Sequence, residues 1–108
     1  MPQKDKEVSQ ISLKVKVLKS YSEKIKGLIG TTKLYPVYFE TRFGIHTFGM
    51  LKPIDVFILD SNDKVVVIKK SLSPNNVFFW NPKYSRVVET PVDSVNIDTG
   101  DQVELDGY

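Results

Sequence analysis

Two apolar runs, Ile54–Leu59 and Val65–Ile68, flank Asp60-Ser61-Asn62-Asp63, and this pattern limits the fold more tightly than any other stretch of the chain. The runs are rich in β-branched and aromatic residues, which suit a pleated, covered surface, while the four residues between them are turn formers. The pattern predicts a β-hairpin over Ile54–Ile68, with Asp60 a turn former rather than a catalytic group. The β signal recurs elsewhere. Ile11, Leu13, Val15 and Val17 alternate with Ser12, Lys14, Lys16 and Leu18, the period of two of a half-buried strand. Further strands are predicted at 35–39, 45–50, 86–89 and 102–105, the last after a Thr99-Gly100-Asp101 turn with Gly100 at positive φ. Ser22 caps a helix of about two turns over 22–29, limited by Gly27 and Gly30. Residues 71–84 set Pro74, Asn75, Asn76, Asn81 and Pro82 around Val77-Phe78-Phe79-Trp80 and read as a loop with some strand character. The expected architecture is mainly β. It is a small antiparallel β-sandwich or partly closed, jelly-roll-like barrel with one short helix near 22–29.

A chain of 108 residues, 41% of them hydrophobic, has room for one core, so 10–108 is read as a single β domain behind a flexible segment 1–9. The absence of cysteine removes disulfides, thiolate ligands and a Cys nucleophile together. No apolar run approaches the roughly 20 residues of a spanning helix, and the first ten residues are polar rather than signal-like. The chain as it stands is expected to be soluble and cytoplasmic, or extracytoplasmic where a signal or anchor has been removed. All 15 basic residues precede Glu89, alongside seven acids, whereas 89–108 holds six acids and no base. The final strand is therefore expected to face basic neighbours. The lysines are scattered and form no basic, aromatic-interleaved stripe, which argues against a nucleic-acid partner. A protein or a small molecule is compatible with the composition.

Catalytic constellations are thin. The lone His46 sits in an apolar run without a nucleophile motif near it, and one His with no Cys cannot build a tetrahedral zinc site. His46 and Met50 would suit copper chemically, but four residues apart on a strand they are too distant to chelate; both are read as core residues. Asp55 and Asp60, five apart, point to opposite faces of a strand and cannot share a substrate. No cofactor is implied and no metal site is expected.

Asp55 is nonetheless the residue on which a site would centre. Treating Leu51-Lys52-Pro53 as a three-residue hairpin loop pairs Met50 with Ile54, Phe48 with Val56 and His46 with Ile58. Asp55 then lies beside Gly49, in a gap ringed by Thr47 and Phe57. Burying its carboxylate requires backbone N–H donors, an Arg such as Arg86, or an open cleft. Two readings follow: a carboxylate that ties down a loop, or a ligand-facing group with Thr47, Gly49, Phe57, Arg86 and Glu89 around it. Phe78, Phe79 and Trp80 likewise form either a loop anchor or an exposed recognition surface.

Read in order, Lys26-Gly27-Leu28, Ile45-His46-Thr47-Phe48-Gly49-Met50, Pro53-Ile54-Asp55, Phe57 with Leu59-Asp60, Val65-Val66, Pro74, Arg86-Val87-Val88-Glu89 and Gly100-Asp101-Gln102-Val103 form a recognisable series. Over roughly Lys26 to Leu105 the chain resembles the conserved family catalogued as domain of unknown function 192, most specifically from His46 to Asp60. The resemblance implies a compact β-sandwich of jelly-roll character with a small helix, found in archaea and bacteria, sometimes behind a signal peptide, with no established activity. Two stretches depart from it. Tyr35 to Phe39 stands where members often have Gly-Met-Leu-Phe, and Thr90-Pro91-Val92 replaces Leu-Pro-Ala-Gly, so the helical turn expected there is reduced. The leading functional reading is a non-enzymatic binding or accessory domain. The alternatives are an enzyme of unfamiliar type with a pocket at Asp55, and an assembly domain acting through a sheet edge or the aromatic loop 77–80.

Overall fold

The computed structural model describes residues 10–19 and 34–108. The segment 1–9 and the helix expected over 22–29 lie outside the described residues. Eight strands run in chain order: β1 Gln10–Val17, β2 Val37–Glu40, β3 Gly44–His46, β4 Ile54–Leu59, β5 Val65–Leu72, β6 Val77–Phe79, β7 Arg86–Pro91 and β8 Gln102–Gly107. Six of them form one sheet in the order β5-β4-β7-β2-β1-β8, and β3 pairs with β6 in a separate two-stranded ribbon.

The hairpin read from the apolar runs is present as β4 and β5, paired antiparallel. Its turn is closed by Asp60, whose Oδ1 accepts the N–H groups of Asn62 at 2.8 Å and Lys64 at 2.9 Å. β4 is buried at all six positions, because β5 and β7 flank it and side chains cover both its faces; a strand covered on both faces reads as a continuous apolar run rather than an alternation. β1 keeps its period of two, with Leu13 and Val15 buried and Lys14 and Lys16 exposed. It runs parallel to both β2 and β8, so the sheet is mixed rather than wholly antiparallel.

The sheet curls until its edges meet. Lys64 bridges Gln102, Val65 N–H donates to the Asp101 carbonyl at 2.9 Å, and Val103 N–H donates to the Asp63 carbonyl at 2.9 Å. The result is a half-barrel. Gly100 takes φ +95° in the turn that feeds this junction, as the sequence leads one to expect. Inside the curl pack Leu13, Val15, Tyr38, Phe57, Leu59, Val65, Val88 and Val103. On the outer side lie Val37, Phe39, Ile54, Val56, Ile58 and Val87, covered by Ile45, Phe78 and Trp80 of the ribbon region.

Three expectations are corrected here. Leu51 to Pro53 does not close a hairpin: it joins the ribbon to the sheet, since both sides of β4 are taken by β5 and β7 and β3 finds its partner in β6, His46 opposite Val77. His46 consequently is half-buried on the ribbon rather than a core residue. Its Nδ1 accepts the Phe48 N–H at 3.2 Å, and the two rings stack 4.6 Å apart. The strand expected over 45–50 ends at His46, because Thr47 turns its backbone and hydroxyl to the loop before β6.

Trp80 is 8% exposed, lies 5.7 Å from the Phe78 ring and donates its indole N–H to the Tyr84 carbonyl at 2.8 Å. It pins the loop after β6 to the outer core. Trp80→Ala should therefore lower stability by about 3 kcal/mol through lost burial and the cavity left behind, measured by chemical denaturation; a loss under about 0.5 kcal/mol would show that the loop is held by other contacts.

Candidate functional site

Asp55 is fully buried on the inner side of β4, and its carboxylate is saturated. Oδ2 accepts the Lys70 ammonium at 2.6 Å and the Asp93 N–H at 2.9 Å, while Oδ1 accepts the Ser71 N–H at 2.9 Å. The donors are reachable because β5 bulges opposite Asp55, with Ser71 at φ +52°, and because the chain leaving β7 turns back at Asp93, φ +58°. Lys70 also lies 3.0 Å from the Asp93 carboxylate. Burial pushes the Asp55 carboxyl up, but the Lys70 hydrogen bond, the two backbone donors and the lysine charge outweigh it and hold the group below the usual carboxylate range. Lys70 is raised by its hydrogen bonds to Asp55 and Asp93. Of the two roles weighed for this residue, the geometry matches a carboxylate that ties down loops.

The other residues grouped with Asp55 in the sequence reading do not converge on it. Phe57 follows on the same face and packs in the inner core. Glu89 is also buried, but it pairs with Val37 and Val56 on the outer face, on the far side of the sheet from Asp55, which faces Thr90. Thr47 and Gly49 serve a different loop. The Thr47 hydroxyl donates to the Ser73 carbonyl at 2.7 Å and accepts the Asn76 N–H at 3.0 Å, and Gly49 N–H donates to Asn75 Oδ1 at 3.1 Å.

Arg86 stands four residues along β7 from Thr90, roughly 13 Å away at strand spacing. Its Nε meets Asp63 at 2.6 Å, its Nη1 lies 3.6 Å from Glu40, and its guanidinium sits 5.2 Å from the centre of the Tyr38 ring. The Tyr38 hydroxyl donates to Glu40 at 2.7 Å. Burial, reinforced by that hydrogen bond, raises the phenol well above its ordinary value and keeps it a donor. Beyond this cluster an open depression of about 260 Å3 is lined by Asp60, Ser61, Lys83 and Tyr84. Among the described residues no group of three or more His, Cys, Asp or Glu side chains could hold a metal ion.

The aromatic triplet divides. Trp80 is buried and Phe78 half-buried, whereas Phe79 points away from the sheet at 68% exposure. Phe79 lies across Gly44, where an added Cβ would come within 2.5 Å of its ring and 2.8 Å of the Phe78 carbonyl. Val77, opposite His46, shares that outer face, and the His46–Phe48 stack extends it. Phe43, with φ +72°, is 66% exposed at the other end. Lys70, Asp93 and Phe43 were absent from the sequence reading, and Phe48 entered it only as a strand position expected to pair with Val56. The bulge and turn that recruit the first two leave no periodic signal, and the exposure of the phenylalanines follows from the pairing of β3 with β6.

No protein-family model matches the chain. The fold is that of a mainly β half-barrel, and it is shared with a solved protein of unknown function from Novosphingobium aromaticivorans. That likeness has a TM-score of 0.61 at 16% identity and covers 71% of this chain and 61% of that one. Two archaeal sequences are nearer. A UPF0127 protein of Thermococcus sibiricus is 34% identical over 103 residues, covering 84% of this chain and 65% of its own length. A UPF0127 protein of Pyrococcus abyssi is 39% identical over 80 residues, covering 69% and 68%. The chain belongs to this uncharacterised family, UPF0127, and spans about two thirds of the length of these relatives.

Because the folded carboxyl of Asp55 titrates below its unfolded counterpart, near 3.9, its contribution is present above that value and is lost as pH falls through the folded one. Asp55→Asn should cost about 3 kcal/mol at neutral pH, because the amide sets an N–H group against buried donors and ends the charge pairing. It should also flatten the fall of melting temperature below about pH 4 relative to the parent chain. Melts of both proteins between neutral and acid pH check this, and equal stability at neutral pH would exclude the anchoring role.

Proposed function

We propose that this chain is a non-catalytic binding domain, of the family catalogued as domain of unknown function 192, and that its contact face is the outer face of the β3–β6 ribbon. The observation that carries the reading is the exposure of Phe79 and Val77 on a ribbon whose opposite side, Ile45 and Phe78, is packed on the core. Isolated exposed apolar residues are ordinary, but a contiguous aromatic stripe on an ordered, paired surface marks a place of contact. Against an enzyme built on Asp55 stands the saturation of its carboxylate by three donors in a fully buried position. Asp55 and Arg86 are assigned to holding the frame that presents the ribbon.

Selection of ligands from a random peptide library on the intact chain tests the reading. Most selected peptides should bind at least tenfold more weakly to Phe79→Ser and Val77→Ser variants whose melting temperatures are unchanged. Ligands that ignore both substitutions and are lost with Ser61→Trp would move the site to the depression beside the β4–β5 turn.

A further inference from the structure

We propose that the outer face of the ribbon docks on the interfacial region of a bilayer that carries anionic lipid. This inference rests on the ribbon being the contact face and names what it contacts. Seven large hydrophobic side chains are exposed among the described residues, and five of them, Phe43, Phe48, Leu51, Val77 and Phe79, belong to the ribbon and its flanking turns. The segments 41–53 and 71–84 that carry them contain no Asp or Glu, but they hold Arg42, Lys52, Lys83 and His46. None of Arg42, Lys52 and Lys83 has a carboxylate within ion-pair distance among the described residues. Residues 89–108 have the opposite character, with six acids and no base. Charge and apolar exposure therefore coincide on one part of the surface, and its complement is a partner that is both anionic and apolar.

Shape favours the bilayer over an acidic protein segment. An acidic segment as natural partner would be held by pockets for alternate side chains or by a free strand edge longer than the three residues of β3 or β6, whereas a peptide selected from a library needs only an exposed apolar anchor. Here the surface is built outward: Phe79 rides over a glycine, Phe48 is stacked on His46, and Phe43 and Leu51 stand in turns. Protruding phenyl and leucyl side chains beside cations suit shallow insertion between headgroups, where each lysine or arginine near an anionic surface strengthens attachment about fivefold. Arg42 is positioned for this at the Phe43 end, its Nη1 donating to the Pro82 carbonyl at 2.8 Å. Lys52 follows Leu51 at the other end.

The test is co-sedimentation of the intact chain with vesicles of phosphatidylcholine alone and of phosphatidylcholine with roughly a third phosphatidylserine. Binding is expected only to the second and should disappear at about 0.5 M salt. Replacing Arg42, Lys52 and Lys83 together by Gln should weaken it on the order of a hundredfold, and Phe79→Ser by about tenfold, with melting temperatures unchanged. Phe79→Trp supplies a position-specific signal. The introduced indole should shift to the blue with anionic vesicles, over a constant background from buried Trp80. Failure to bind phosphatidylserine vesicles, or equal binding to both compositions, overturns the proposal. If vesicle binding fails while selected peptides still depend on Phe79, the ribbon is a protein-docking face and only the bilayer is lost. If both fail, the ribbon is not the contact face.

Discussion

The fold depends on the burial of β4 on both faces. A strand in that position must be apolar nearly throughout, and Asp55 breaks the rule. A carboxylate placed there is tolerable only where donors are fixed around it in advance, since an uncompensated buried charge costs several kcal/mol. The chain meets the demand with three segments: the bulge at Lys70 and Ser71 and the turn at Asp93, which supply the donors, and β4 itself, which carries the carboxylate. The requirement works in both directions. The carboxylate needs the loops, and the loops, which end two strands at one end of the curl, take their positions from the carboxylate.

The opposite end of the half-barrel is organised around Arg86. On the inner side β4 reads Asp55, Phe57, Leu59 and β7 reads Thr90, Val88, Arg86, so an apolar middle lies between two polar ends. Asp63 joins the parts of the far end, its carboxylate binding Arg86 and its carbonyl accepting Val103 N–H where β8 meets the hairpin. In the acid-rich final stretch, Asp106 stands opposite Lys14 and Glu104 opposite Ser12 in the parallel pair of β1 and β8, and Asp93 lies 3.0 Å from Lys70. The two ionic clusters differ in accessibility. Asp55 is sealed, whereas Arg86 and Asp63 remain partly open to solvent, where screening weakens each contact.

Much of this frame was legible in the sequence, because strand periodicity and turn chemistry are local. The β4–β5 hairpin, the alternation of β1, the Gly100 turn and the structural role of Asp60 all follow from residues within a few positions of one another. What escaped was pairing between distant segments. From residues 45–56 alone, a hairpin through Leu51 to Pro53 is as reasonable as the true arrangement; the choice is made by β7, more than thirty residues later, which occupies the side of β4 that β3 would have used. The misplacement of Thr47 and Gly49 beside Asp55, and of His46 in the core, followed from that single error of partner. The aromatic triplet was read as either a loop anchor or an exposed surface, and the structure divides it between a buried Trp80 and an exposed Phe79. Neighbouring residues of a strand face opposite ways, so Phe78 turns inward and Phe79 outward.

That division separates what the fold requires from what it merely permits. Ile45, Phe78 and Trp80 pack in the outer core, and truncating any of them removes apolar contacts from it. Phe79, Val77 and Phe48 cover nothing comparable; serine or lysine at those positions would keep the ribbon paired and remove an apolar surface that invites association. Stability therefore gives no reason for their exposure. Neither does solubility, which the same residues reduce. An aromatic stripe that burdens the free molecule, on a ribbon anchored by its other face and flanked by cations that form no ion pair among the described residues, gains a physical rationale only when something covers it.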